Sequence, residues 1–137
     1  MRTTIKITKR QLKRILNEAL KIADKSEFED AGGGILPEYM PVFELYVDSI
    51  HECLEYWREW GGLTYDFLQA KVKHIVLSSN SSPGYFDPNM FERAVFELVG
   101  TGKIQEFRGR WNLMQDPGSS LTKPAYVNRT LYKSIQD

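Results

Sequence analysis

Hydrophobic residues recur every three or four positions in four stretches of the chain, which is the spacing of amphipathic helices. The first stretch follows Thr8, a residue able to cap a helix, and continues to about residue 24. The second begins near Pro41 and the third after Thr64. The fourth begins at Asp87-Pro88, a capping residue followed by a proline at the first helical position. The pattern therefore predicts an N-terminal helix and three further helices.

The segment KIQEFRGRWNLM, residues 103–114, follows the last helix and changes the period of the pattern. Trp111 and Leu113 alternate as in a half-buried strand, whereas Ile104 and Phe107 differ in parity, so we expect one of these two to be exposed or the strand to bulge. Gly109 permits a tight turn between two arginines. The sequence predicts a β-hairpin with Arg108-Gly109-Arg110 at its tip.

Glycine-rich and turn-rich segments divide the chain. AGGG at residues 31–34 predicts a flexible break, and DPGSS at 116–120 predicts a turn. The last residues are predicted to cross back over the domain as a short strand or helix. The expected fold is mainly α with a small β-hairpin, in the α+β class. Its parts are a basic amphipathic helical arm (1–30), a Gly-rich linker (31–40), the main domain (41–115) and a C-terminal extension that packs on the domain (116–137).

The net charge is zero, but the charges are segregated along the chain. Residues 1–25 contain eight basic and two acidic residues, residues 26–66 contain one basic and ten acidic, and residues 67–137 contain nine basic and six acidic. Such a chain binds a polyanion locally, or folds its basic part onto its acidic part. Five of the acidic residues form a stripe at helical spacing on the helix after Pro41: Glu44, Asp48, Glu52, Glu55 and Glu59.

Several classes of function lack their sequence signals. No apolar run is long enough to span a membrane, and MRTTIKITKRQLKRIL lacks the apolar core of a secretory signal, so we expect a cytoplasmic protein without a membrane partner. Cys53 is the only cysteine, which argues against a disulfide or a cysteine-based metal site. AGGG is not followed by the Lys-Ser/Thr of a phosphate-binding loop. We expect no enzyme activity, no cofactor and no small-molecule substrate.

Two segments, GGLTYDFLQAKV and DPNMFERAVFELVGTGKIQEFRGRWNLM, resemble the second helix, third helix and wing of winged helix-turn-helix domains. The resemblance covers roughly residues 41–115. Separately, ITKRQLKRIL resembles the opening of small proteins encoded by phages of marine bacteria. The winged-helix resemblance implies a DNA-binding protein, such as a transcriptional regulator or accessory factor, whose third helix enters the major groove while the wing contacts the backbone or the minor groove.

Carried onto this chain, the resemblance and the charge distribution indicate seven nucleic-acid-binding residues: Lys71, Lys73, Asn89, Arg93, Lys103, Arg108 and Arg110. Glu92 and Glu97 depart from the family pattern, because carboxylates on a recognition helix repel phosphate. The alternative is a protein-interaction module on the same scaffold, with the N-terminal helix forming a homodimer. The aromatic residues Tyr56, Trp57, Trp60 and Tyr65 are predicted to pack between the first two main-domain helices, with base stacking as the alternative.

Overall fold

The computed structural model describes residues 27–135, so the predicted N-terminal helix lies outside the described residues. The chain divides into two compact units, residues 1–37 and 38–137. In the described part of the first unit, the Asp30 carboxylate accepts hydrogen bonds from the N–H groups of Gly32 (2.8 Å) and Gly34 (2.9 Å). Glu29 and Ile35 form an isolated β-bridge around this turn. The glycine-rich segment therefore contains a hydrogen-bonded turn, and the division between the two units after residue 37 lies within the predicted linker at 31–40.

The second unit is an α+β fold, as predicted, with three α-helices and a three-stranded antiparallel sheet in its described residues. Short 3-10 turns cover Pro37–Tyr39, Arg58–Trp60 and Leu113–Gln115. The strand order in the sheet is β1-β3-β2. The elements in chain order are α1 (Met40–Tyr56), β1 (Leu63–Thr64), α2 (Tyr65–Ser78), α3 (Pro88–Gly100), β2 (Ile104–Asn112) and β3 (Tyr126–Ser134).

The three helices of this unit begin where the local sequence predicts. Pro41 lies in the first turn of α1, where its missing N–H would have no helical partner. The Thr64 hydroxyl accepts a hydrogen bond from the N–H of Phe67 (3.2 Å) at the start of α2. The Asp87 carboxylate accepts one from the N–H of Asn89 (2.9 Å) at the start of α3. After α1, the 3-10 turn ends at Gly61, whose φ of 80° is favourable for glycine.

One buried side chain ties the beginning of α3 to α1. Tyr46 on α1 has no solvent exposure, and its hydroxyl oxygen accepts a hydrogen bond from the backbone N–H of Asp87 at 2.7 Å. The Tyr46 ring also stacks on Phe86, with 5.4 Å between ring centroids. Burial raises the pKa of Tyr46 to about 12, so the phenol stays neutral at physiological pH. The start of α3 is thus fixed by a non-local contact in addition to its own cap.

The predicted hairpin tip is wrong, because β2 continues without interruption through Arg108, Gly109 and Arg110. These residues pair with Thr130, Arg129 and Asn128 of β3. Residues 113–125 form the connecting loop, in which Gly118 has a φ of 77°. The domain boundary predicted at residue 115 is wrong for the same reason, since the supposed C-terminal extension supplies the second strand of the hairpin.

Close packing, and not a turn, accounts for the glycine within β2. A Cβ atom at Gly109 would lie 2.8 Å from Cδ1 of Leu131 and 3.0 Å from Cε2 of Phe107. The strand does not bulge between Ile104 and Phe107, since every residue of β2 has one partner on β3. Ile104 is buried on one face of the sheet and Phe107 is half-buried on the other. Each face of the hairpin is therefore at least partly buried at one position.

Candidate nucleic-acid interface

One face of the hairpin presents two arginines beside polar and aromatic side chains. Arg108 is paired with Thr130 and Arg110 with Asn128, and the next pair on this face is Asn112 with Tyr126. Because side chains alternate between the faces of a sheet, all six lie on one face. The exposed or half-exposed members around the two arginines are here called the arginine face: Arg108, Arg110, Tyr126, Asn128 and Thr130.

Contacts within the arginine face hold both guanidinium groups over β3. Nη1 of Arg108 donates a hydrogen bond to Oγ1 of Thr130 at 3.4 Å. The guanidinium carbon of Arg110 lies 3.9 Å from the ring centroid of Tyr126, which is 52% exposed. A cation stacked on an aromatic ring keeps its N–H donors in the plane of the guanidinium and available to an anion. The face thus offers planar donors that suit phosphate oxygens.

The hairpin as a whole is basic, and its acidic side chains are used internally. Residues 103–135 contain six basic and two acidic residues. The Glu106 carboxylate accepts a hydrogen bond from the Tyr132 hydroxyl at 2.7 Å, and the Asp116 carboxylate accepts one from Nε1 of Trp111 at 2.7 Å. Burial and the bond to Glu106 raise the pKa of Tyr132, so this donor stays protonated. All six basic residues are exposed: Lys103, Arg108, Arg110, Lys123, Arg129 and Lys133.

The third helix is a poor polyanion surface. Nη1 of Arg93 forms an ion pair with Oε2 of Glu97 at 2.7 Å, one helical turn away. Asn89 is half-buried at the helix start, and Glu92 is exposed. Phe96, on the outer side of α3, is 74% exposed. The helix predicted to read bases therefore presents carboxylates and a phenyl ring, together with an arginine that is already paired.

The remaining predicted cations occupy different environments. Nζ of Lys71 lies 5.5 Å from the ring centroid of Trp57 and 5.3 Å from that of Phe67, so this half-buried lysine packs on aromatic side chains. Lys73 is exposed on the same helix. Lys103 is exposed between α3 and β2, and its carbonyl accepts a hydrogen bond from the N–H of Ile135. Arg108 and Arg110 are the pair of predicted residues that one strand brings side by side.

Three members of the arginine face are absent from the sequence prediction, because the last residues are predicted only as a short strand or a helix. Tyr126, Asn128 and Thr130 all lie on β3. A usable signal exists: YVNRTLY is rich in aromatic and β-branched residues and follows the turn signal Asp116-Pro117-Gly118. Paired with the strand at 104–112, it predicts a hairpin with a longer loop.

The aromatic residues divide into two groups. Trp57 and Trp60 contact Phe67 at 5.3 Å between centroids, and Trp60 also contacts Trp111 at 6.2 Å. The half-buried Trp57 packs as predicted, whereas Trp60 remains 42% exposed and is not a core residue. Tyr65 instead contacts Phe91 and Tyr132. Tyr56 is 77% exposed, so its predicted place in the core is wrong. The end of α1 carries one solvent-facing tyrosine next to a packed tryptophan cluster.

Neither an exposed cysteine nor a cluster of metal-ligating side chains is present among residues 27–135. Cys53 is buried, and burial raises the pKa of its thiol to about 12, which leaves it neutral and unreactive. Within residues 27–135, no group of three or more histidine, cysteine or acidic side chains could hold a metal ion. No helix in the same range is long and apolar enough to cross a membrane. Comparison with known protein families, curated proteins and solved structures gives no match for this chain.

Proposed function

We propose that residues 38–135 form a winged-helix domain that binds DNA mainly through the β2–β3 hairpin. Support for the fold comes from the element order, in which three helices are followed directly by an antiparallel hairpin. This is the order on which the sequence resemblance rests. The hairpin takes the place of the wing, and α3 takes the place of the recognition helix.

The observation that carries the proposed function is the charge of the hairpin. Its six cations are exposed, and its two carboxylates are engaged by Tyr132 and Trp111. Each phosphate that a lysine or arginine neutralises releases counterions, and this release supplies most non-specific affinity for DNA. Arg108 and Arg110 would contact adjacent phosphates, while Asn128 and Thr130 supply further hydrogen-bonding groups.

Weak sequence discrimination follows from the composition of α3. Base edges in the major groove are read mainly by arginine, lysine, asparagine and glutamine. On α3, Arg93 is paired with Glu97 and Asn89 is half-buried. Contacts to the phosphate backbone fix position without reading sequence. The expected activity is therefore DNA binding of low specificity, as in an accessory factor more than in a site-specific regulator.

A salt titration with a labelled random duplex tests the proposal. Fluorescence anisotropy would compare the wild type with the double variant Arg108→Ala/Arg110→Ala. If each arginine neutralises one phosphate, the slope of log K against log salt becomes shallower by about 1.8. The control variant is Arg58→Ala, which removes a cation from an exposed residue outside the hairpin and should leave the slope unchanged. A double variant whose slope equals that of Arg58→Ala would remove the hairpin's assigned role.

A second candidate function is a protein-interaction module, favoured by the 74% exposure of Phe96 on α3. An exposed phenylalanine beside Glu92 suits a protein surface better than a phosphate backbone. The predicted homodimer through the N-terminal helix belongs to this candidate. Light scattering of the full chain and of a chain lacking residues 1–30 would measure both masses. A dimer that becomes a monomer on truncation, with no DNA binding at low salt, would favour interaction over DNA binding.

A further inference from the structure

The outer edge of β2 is open. In the sheet order β1-β3-β2, this strand has β3 on one side, and no described residue forms a β-ladder with its other side. The strand is nine residues long and contains no proline. Long edge strands that lack proline are templates on which another extended chain can add by main-chain hydrogen bonds.

The hydrogen bonds at both ends of the hairpin show which residues face outward. The N–H of Ile135 donates to the carbonyl of Lys103 (3.2 Å), and the N–H of Leu113 donates to the carbonyl of Ala125 (2.7 Å). The register between these ends is unbroken, so the odd-numbered residues of β2 are the ones bonded to β3. The even-numbered residues direct their N–H and C=O groups away from β3, and those that are exposed or half-exposed offer them at the open edge: Glu106, Arg108, Arg110 and Asn112. Ile104 has the same orientation but is buried, so the accessible edge begins at Glu106.

The positive charge beside the open edge of β2 determines which kind of extended segment can bind there. Two of the outward-facing residues are Arg108 and Arg110, whose side chains lie on the arginine face. An added strand would place alternate side chains beside them, where carboxylates are favoured and cations disfavoured. On the opposite face, β2 presents Phe107, Gly109 and Trp111, none of which is charged. A second copy of β2 paired antiparallel about Gly109 would set Arg108 against Arg110 of its partner strand, a like-charge pair.

We propose that the open edge of β2 binds an extended acidic segment of a partner protein by strand addition. The main-chain groups of the even-numbered residues supply the ladder, and Arg108 and Arg110 select glutamate or aspartate at alternate positions. This site does not depend on DNA binding. Because both ligands use the same two arginines, they compete for the arginine face.

A matched pair of variants at residue 110 separates main-chain from side-chain recognition. Arg110→Ala removes only the side chain, whereas Arg110→Pro also removes the outward N–H and leaves the bonds between β2 and β3 in place. The probe is a synthetic peptide as long as β2, with glutamate alternating with valine. We expect Arg110→Pro to bind this peptide about tenfold more weakly than Arg110→Ala, from one lost hydrogen bond and the ring's bulk. The two variants should bind duplex DNA equally.

Two N-methylated forms of the peptide test the same site with the wild-type protein, so the result stands even if Arg110→Pro fails to fold. Each form carries methyl groups on one of the two alternating sets of backbone nitrogens. Strand addition predicts that one form loses binding and the other keeps it, because only one set of N–H groups faces β2. Three results would each overturn the proposal. Both methylated forms could bind equally, the alanine and proline variants could bind the peptide equally, or a lysine peptide could bind as well as the glutamate peptide. Failure of DNA binding with this pattern intact would overturn only the proposed function.

Discussion

Replacing Tyr46 with phenylalanine tests the contact between α1 and the start of α3. The substitution keeps the buried ring and its stacking on Phe86, and it removes one oxygen atom. That oxygen accepts the Asp87 N–H at 2.7 Å. Phenylalanine cannot accept this bond, and Tyr46 itself has no solvent exposure, so its oxygen lies in a buried position.

The expected loss in the free energy of unfolding comes from the Asp87 N–H, which is left without an acceptor. Leaving a buried backbone N–H without its partner costs about 1–3 kcal/mol, and the partial exposure of Asp87 favours the lower half of this range. We therefore expect a loss of about 1.5 kcal/mol in the free energy of unfolding. For a unit of this size, such a loss lowers Tm by roughly 6–12 °C.

Urea and thermal denaturation followed by circular dichroism would measure the loss. The matched control is Tyr56→Phe on the same helix, since Tyr56 is 77% exposed and its hydroxyl removal should change stability by less than about 0.5 kcal/mol. If Tyr46→Phe were no less stable than Tyr56→Phe, the assigned link between α1 and α3 would be wrong.

Three further substitutions or conditions have defined outcomes. Gly109→Ala should cost about 1–3 kcal/mol in urea denaturation, since its Cβ would lie 2.8 Å from Leu131, whereas Gly100→Ala, with no atom within 4 Å, should not. The pKa of the Cys53 thiol is raised from 9.0 to about 12 and that of Tyr65 from 10.0 to about 12. Both therefore contribute stability that is complete below about pH 9 and is lost as the pH rises towards 12; a Tm that stayed constant over this range would contradict the assignment. Glu97→Gln removes a carboxylate from α3 and should change DNA affinity less than Arg110→Ala does in the anisotropy assay, because the hairpin and not α3 meets the DNA; a larger change than that of Arg110→Ala would place α3 at the DNA.

Local chemistry made the helices predictable, and non-local packing made the hairpin tip unpredictable. The caps at Thr64 and Asp87 depend on residues two or three positions away, so their signal lies within a few letters of sequence. Gly109 within Arg-Gly-Arg is compatible with a tight turn or with close packing in a strand. The choice depends on Leu131, which is far along the chain and which shares the space that a Cβ would need.

The sequence alone predicts which cations belong to the candidate site, but it does not predict how they are arranged. Arg108 and Arg110 were identified from their charge, although the predicted geometry at a hairpin tip was wrong. Their partners Tyr126 and Thr130 required the pairing of β2 with β3, which no local pattern fixes. The Arg93–Glu97 pair is separated by four residues on a helix, so its spacing in the sequence already indicates an ion pair.

The hairpin is proposed to bind both DNA and an acidic segment of a partner protein. Arg108 and Arg110 bind phosphates of DNA in one case and carboxylates of the partner in the other. The outward main-chain groups of β2 form hydrogen bonds only with the peptide. Competition between the alternating glutamate peptide and labelled duplex would therefore be mutual. The variant Arg110→Pro would lose sensitivity to the peptide while its DNA affinity matched that of Arg110→Ala.

The central claim is that the hairpin, and not α3, is the surface that meets DNA. A titration of isotope-labelled protein with a short duplex, followed by amide NMR shifts, tests this claim most directly. We expect the largest shifts at Arg108, Arg110 and residues 126–130, with small shifts over residues 89–97. Large shifts along α3 with an unperturbed hairpin would contradict it.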